Sequence, residues 1–277
     1  SSGLTAGALA YVTATNRLYV SNGSRWYSIG LFGAAQQAKL TASDAAASDR
    51  FGEDVGASGG TIIVGAQGAN AAYIFTKTNT TWSQQALLTA SDAATGDQFG
   101  YGADVDGDTA VVTAPKAHLG NESDAGAAYV FVRSGATWTQ QQKIQASDAA
   151  ASDWFGHEQA VAISGDYIVV GVSEDDNSGG NRAGAAYVYA RSGTTWSQQA
   201  KLTASDAQAT DLFGSAVGIS GSTIVVGAVG EDTTAAQAGA VYVFTRSGTT
   251  WTQQQKIQAS DAEGSDSFGE SVDIDGD

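Results

Sequence analysis

The 277-residue sequence has no cysteine, no methionine, one proline (Pro115) and two histidines. Without cysteine there is no disulfide, no thiolate metal site and no cysteine nucleophile. Basic residues are scarce: 13 Lys and Arg face 29 Asp and Glu, a formal charge of −16. Such a chain is not drawn to nucleic acid or an anionic bilayer by general electrostatics. It has no apolar run near the ~18 residues a membrane helix needs, and no basic-then-apolar leader. With no Met, Ser1 is not a translation start, so a processed product or a piece of a longer chain is expected. Sustained helical periodicity is missing too.

What is present is short blocks of apolar β-formers, such as Thr61-Ile62-Ile63-Val64 and Tyr167-Ile168-Val169-Val170. The class expected is all-β. With 42% hydrophobic residues a packed core is available and disorder is a poor reading.

The sequence repeats itself. Phe-Gly recurs at 51, 99, 155, 213 and 268, spaced by 48, 56, 58 and 55 residues. Each later Phe follows a Trp by 17 residues (Trp82, Trp138, Trp196, Trp251), and each Trp follows a Tyr by 9 (Tyr73, Tyr129, Tyr187, Tyr242). Fixed spacing means a fixed backbone path. Each unit reads as four strands: one from Phe-Gly, one like Thr223–Gly227, one like Gly239–Phe244, and one from Trp251 through Ile257 after a Ser-Gly turn. Four strands in about 50 residues is the size of a propeller blade. The recurrent aromatics are expected to fill the wedge between blades, and the glycine of Phe-Gly to allow close backbone approach there.

These residues carry a resemblance. Phe155-Gly156, Val161-Ala162-Ile163-Ser164-Gly165-Asp166, Val169-Val170-Gly171, Ala186-Tyr187-Val188-Tyr189, Trp196-Ser197-Gln198-Gln199 and Leu202-Thr203-Ala204-Ser205-Asp206 follow one another in the order of the FG-GAP repeat. The sequence resembles this repeat, the blade of the integrin α-subunit propeller, and is more similar to its bacterial and marine versions. The resemblance implies a β-propeller used for binding or scaffolding outside the cell. Four full blades are expected near 51–93, 99–149, 155–207 and 213–262, with a partial unit at 268–277 and five to seven blades in the complete ring. The propeller domain spans 32–277. Residues 36–43 match a fourth strand, so either a five-bladed ring closes with the help of the N-terminal segment or the natural chain continues past Asp277. Continuation is the favoured expectation. Residues 1–31 do not fit the repeat; alternating strands around Asn22-Gly23 suggest a small β-meander. This segment is similar to short modules of marine phage tail-fibre and virion proteins, which implies a docking role.

Three places carry candidate chemistry. The stretch between strand two and the recurrent Tyr varies in length from unit to unit and should open on one face. It holds His118, Asn121, Glu122 and Asp124, then Glu174, Asp175, Asp176, Asn177 and Arg182, then Glu231 and Asp232. These are either ligand-binding loops or a solvated rim. Asp104, Asp106 and Asp108 alternate through a turn, and Asp273, Asp275 and Asp277 repeat them. Alternating carboxylates can wrap calcium; the other reading is a tight Asp/Gly hairpin turn. The Asp pairs 44/49, 92/97, 148/153, 206/211 and 261/266 could bind cations between blades, or cap turns by accepting backbone N–H bonds.

An enzyme is not expected. Gly56-Ala57-Ser58-Gly59-Gly60 matches a nucleophile pattern but lacks the strand–elbow–helix context, and the two histidines have no metal-ligand spacing. The sequons at Asn22, Asn79 and Asn121 matter only in a eukaryotic secretory host. The functional expectation is a non-enzymatic propeller on the outside of a virion or cell, used for attachment or scaffolding. Its partners would be other virion or surface proteins, or a host surface protein or glycan. The alternative is a secreted bacterial surface adhesin or a carbohydrate- or protein-binding propeller, with calcium as its candidate stabilising ion.

Overall fold

In the computed structural model the described residues are 38–157 and 160–276, with the backbone of three N-terminal strands. The chain divides into two compact units, Ser1–Leu40 and Thr41–Asp277. In the first, β1 (Ala6–Val12), β2 (Arg17–Asn22) and β3 (Trp26–Ile29) pair antiparallel in sequence order, a β-meander. Its Asn-Gly turn and residues 30–37 lie outside the described residues.

The second unit holds four sheets of four antiparallel strands, each built from consecutive strands. The first comprises β4 (Phe51–Ser58), β5 (Thr61–Ala66), β6 (Ala71–Thr78) and β7 (Thr81–Leu88). The second comprises β8 (Ala103–Asp106), β9 (Thr109–Ala114), β10 (Ala127–Ser134) and β11 (Thr137–Ile144). The third comprises β12 (Val161–Ser164), β13 (Tyr167–Val172), β14 (Ala185–Ser192) and β15 (Thr195–Leu202). The fourth comprises β16 (Phe213–Ser220), β17 (Thr223–Ala228), β18 (Ala240–Ser247) and β19 (Thr250–Ile257). These are the blades of a propeller. The fold is all-β; no described residue is helical.

In each blade the second strand is nearly continuous in burial, as in β9, because neighbouring blades cover both faces. Strand four is mostly polar and carries a bulge opposite strand three, as between Val130 and Phe131. The first strands touch in chain order, β4 with β8, β8 with β12 and β12 with β16. Antiparallel order puts the strand 1–2 and 3–4 hairpins on one face. The strand 2–3 loops and the inter-blade linkers therefore lie on the other.

Phe-Gly is the hinge of this plan. The backbone of Phe155 pairs with Gly126 of the preceding blade, while its buried ring packs against Tyr187 and Tyr189 of its own blade. Phe213 does the same with Gly184, Tyr242 and Phe244. Gly214 has φ +96°, and a Cβ there would collide with the carbonyl oxygen of Ala185. Only glycine tolerates both conditions. In blades two and three the first strand begins at Ala103 and Val161, four and six residues after the Phe-Gly Phe. The shortening follows from turn-like backbone at Gly100–Gly102 and Gly156–His157. The fifth repeat is described as far as Gly276. Phe268 pairs with Gly239, but 270–276 form no strand.

Candidate functional site

The repeated polar residues fasten blade to blade. In blades two to four the recurrent Trp indole N–H donates to a glutamine of the preceding blade: Trp138 to Gln85 at 2.9 Å, Trp196 to Gln141 at 3.0 Å, Trp251 to Gln199 at 3.0 Å. The first glutamine after each Trp grips the serine of the preceding Ala-Ser-Asp linker twice. Gln198 Oε1 accepts from the Ser147 amide and its Nε2 donates to Ser147 Oγ.

The Asp pairs divide their work. The second member caps a turn by accepting the amide three residues back, as Asp97 from Ala94, Asp153 from Ala150 and Asp211 from Gln208. That matches the capping expectation. The first member reaches the next blade: Asp148 accepts from Tyr187 Oη at 2.9 Å and from Lys201 Nζ at 2.8 Å. Asp206, Tyr242 and Lys256 repeat the arrangement. Burial raises the Asp148 carboxyl pKa, but the Lys201 and Tyr187 bonds outweigh it and hold it below the ordinary range.

The strand 2–3 loops gather the expected binding residues on these latches. In blade three, Asp175 is 3% exposed and accepts from Tyr187 Oη at 2.8 Å and Lys201 Nζ at 2.9 Å. Glu231 takes the same place in blade four, 1% exposed, with Lys256, Gln258 and Thr233. These two are therefore latch residues, closed off from ligand. Asp176 and Asn177 shape their loop, through Asn181 and Arg182 and through Gly179 and Gly184. Glu174 and Arg182 form a two-bond ion pair at the loop surface. Beside them opens a pocket of about 280 Å³, lined by Glu174, Asp176, Arg182, Lys201, Asp148 and Ser152, among others. In blade two His118 stands 3.9 Å from Asp124, and Leu119 and Glu122 close a tight turn across Asn121. Asp232 is exposed. The sequence did not single out Lys201, Lys256 or Asp148 as partners of these loops. The signal was available, since Lys recurs 14 residues after Tyr129, Tyr187 and Tyr242.

The alternating carboxylates do not converge. Asp104 accepts from the amides of Val105 at 2.8 Å and of Ile163, in the next blade, at 2.9 Å. Asp106 accepts from the Gly165 amide and contacts Ser58 Oγ. Asp108 pairs with Arg133 at 2.6 Å. Asp273 accepts from the Ile274 amide, Asp275 is exposed, and Asp277 lies outside the described residues. Among the described residues no three His, Asp or Glu side chains are placed to hold a metal. The carboxylates of Asp104, Asp106 and Asp108 are each turned toward a different neighbour, the arrangement of the hairpin reading.

Asp54, not singled out from the sequence, bridges similarly: it accepts from Val55 at 2.9 Å and from Ala103, in the next blade, at 2.7 Å. It lines, with Asp104, Glu270 and Asp273, a cavity of about 410 Å³ bordered by the first strands. Burial pushes Asp54 and Asp104 each up to about 6. Ser58 of the nucleophile-like pattern accepts from the Gly107 amide at 3.1 Å, so it is a turn strut. His157 packs between Tyr101 and Trp154, and burial lowers its pKa.

No curated protein sequence matches the chain. Among solved structures it is similar to Sqt1 of Saccharomyces cerevisiae, at 13% identity and a TM-score of 0.45. That match covers 76% of this chain and 49% of the Sqt1 chain, so the chain spans about half the length of that protein. The FG-GAP repeat model matches residues 34–75, 82–131, 138–189, 196–244 and 251–277. The three middle segments each begin in a fourth strand and end in the next third strand, taking in one whole blade junction and its Phe-Gly hinge. The chain belongs to the FG-GAP repeat family.

Proposed function

We propose that this propeller is a non-enzymatic attachment module on the outside of a virion or cell, binding a host surface protein or glycan through its strand 2–3 loops. One observation carries the reading: the same types of junction contact recur from blade to blade, whereas the loops between strands two and three do not. Blade one has the short turn Gln67–Asn70, while blade three has a long loop closed by its own ion pair and flanked by the 280 Å³ pocket. Rigid scaffolds with variable loops are where recognition concentrates. The non-enzymatic part rests on the candidate catalytic groups being engaged elsewhere, Ser58 in a turn and His157 between aromatic rings. The likeness of residues 1–31 to phage virion modules supports the surface setting.

The test is to replace residues 173–184 with the Gln67–Asn70 turn and compare binding on a glycan array and on intact cells. Lys201 keeps Asp148 in this variant, so the blade is expected to stay folded. The expected result is wild-type binding to at least one surface, reduced tenfold or more in the variant, with a melting temperature within a few degrees. Equal binding by the variant, or no binding by the wild type, would overturn the proposal.

A further inference from the structure

On the opposite face, at the strand 1–2 and 3–4 hairpins, three blades share one arginine. In blade two, Arg133 donates from Nε to Asp108 Oδ1 at 2.7 Å. In blade three, Arg191 donates from Nε to Asp166 Oδ1 at 2.7 Å. Both guanidinium groups also lie over their blade's tryptophan, at 5.3 Å from Trp138 and 5.2 Å from Trp196. In blade four the corresponding arginine is Arg246, held by the same backbone bond: its amide donates to the Ser222 carbonyl at 2.9 Å, as Arg191 does to Asp166. The carboxylate is missing, because Ser222 stands where blades two and three have Asp. Arg246 Nη2 reaches Ser222 Oγ only at 3.3 Å, and Nε has no partner.

A second change accompanies the first. Thr61 and Thr109, which accept from the Nη1 of Arg133 and Arg191, are replaced by Tyr167. Arg246 lies 4.3 Å from the Tyr167 ring centroid and 5.7 Å from that of Trp251, with the two rings edge to face. Stacking, together with a bond from Nη1 to the Gly248 carbonyl at 2.9 Å, holds the guanidinium in place without a carboxylate. A buried donor with no acceptor costs stability unless something occupies it.

We propose that Arg246, Ser222, Tyr167 and Trp251 form a carboxylate-binding site, and that its occupant is an aspartate side chain of a protein partner. The other two blades show what fits: an Asp presented by a tight turn, its carboxylate oxygen on the guanidinium Nε and Nη2. Ser222 is exposed, and Asp108 and Asp166, which fill the equivalent positions, remain 70% and 63% exposed while doing so. Arginine is suited to such two-point recognition of a planar anion. The site lies on the hairpin face and does not rest on the loop-face reading above.

The experiment is an NMR titration of the Arg246 Nε–H resonance in the full chain. The probe is N-acetyl-Ser-Gly-Asp-amide, a copy of the Ser164-Gly165-Asp166 turn, with the Ser-Gly-Asn peptide and sodium sulfate at matched ionic strength as controls. The expected result is a saturable shift with the Asp peptide in the millimolar range, and none with the Asn peptide. Ser222→Asp fills the slot internally and is expected to abolish the shift while leaving the Arg191 resonance unchanged. A shift that does not saturate, that is equal with the Asn peptide or with sulfate, or that persists in Ser222→Asp would overturn the proposal.

Discussion

The indole of Trp196 donates to the side-chain carbonyl of Gln141 at 3.0 Å, between residues 55 apart in sequence and on successive blades. The recurrent Trp is therefore more than wedge filling. Its ring takes the arginine of its own blade on one side, and its polar edge is committed to the blade before. The repeat is a set of fasteners in which each blade supplies half of every joint.

The hinge phenylalanine should be the costliest single position. Phe155 is fully buried, its backbone on one blade and its ring in the next. Phe155→Ala is expected to lower the unfolding free energy by about 3–5 kcal/mol, read from urea denaturation. A loss below about 1 kcal/mol would show that the junction does not depend on the ring.

The latches should differ by blade. Lys201 and Lys256 each neutralise a second, buried acid, Asp175 and Glu231, whereas among the described residues the salt bridge of Lys143 is to Asp92 alone. Removing the cation from a buried carboxylate costs about 3–5 kcal/mol, and removing it from an exposed pair less than about 1 kcal/mol. Lys201→Met and Lys256→Met should thus destabilise well beyond Lys143→Met. Equal losses would contradict the assignment of Asp175 and Glu231.

Acidity should act in two stages. Asp54, Asp104 and Asp153 sit at about 6 when folded because burial disfavours their charge. Unfolded, they return to about 4. The folded state therefore binds more protons between these values, and stability rises as pH falls from about 6 to about 4. Asp92, Asp148, Asp206 and Glu231 are held low by their lysines, so their contribution is present above the unfolded value and lost as pH falls below about 4. Urea midpoints should peak near pH 4–5. The Asp54→Asn, Asp104→Asn double variant should flatten the rise on the neutral side; an unaltered slope would contradict this.

A chelator should change nothing. Asp104, Asp106 and Asp108 serve as hairpin struts and an arginine partner. Melting temperatures with EDTA and with added calcium should agree within about a degree. A shift of several degrees would mean that the carboxylates regroup around a cation.

The blades were legible because spacing survives in one dimension: the Tyr–Trp–Phe intervals are constant wherever the backbone path is constant. Loop membership was legible too, since Glu174, Arg182 and Glu231 fall where unit lengths diverge. What could not be read was which partner each polar residue meets. Asp148 finds Lys201 across 53 residues, and Asp104 finds the amide of Ile163 across 59. Alternating carboxylates look alike whether they surround a cation or splay toward three neighbours, because the difference lies in strand twist and blade spacing. Arg246 was hidden for the opposite reason: its meaning comes from an absent carboxylate at Ser222, visible only once the equivalent arginines are seen paired.

The central claim is that the repeated residues act across junctions. It is tested most directly by a double-mutant cycle on Trp196→Phe and Gln141→Ala, read from urea unfolding. The account predicts a coupling of roughly 0.5–1.5 kcal/mol between the two residues. Strict additivity of the two single losses would contradict it.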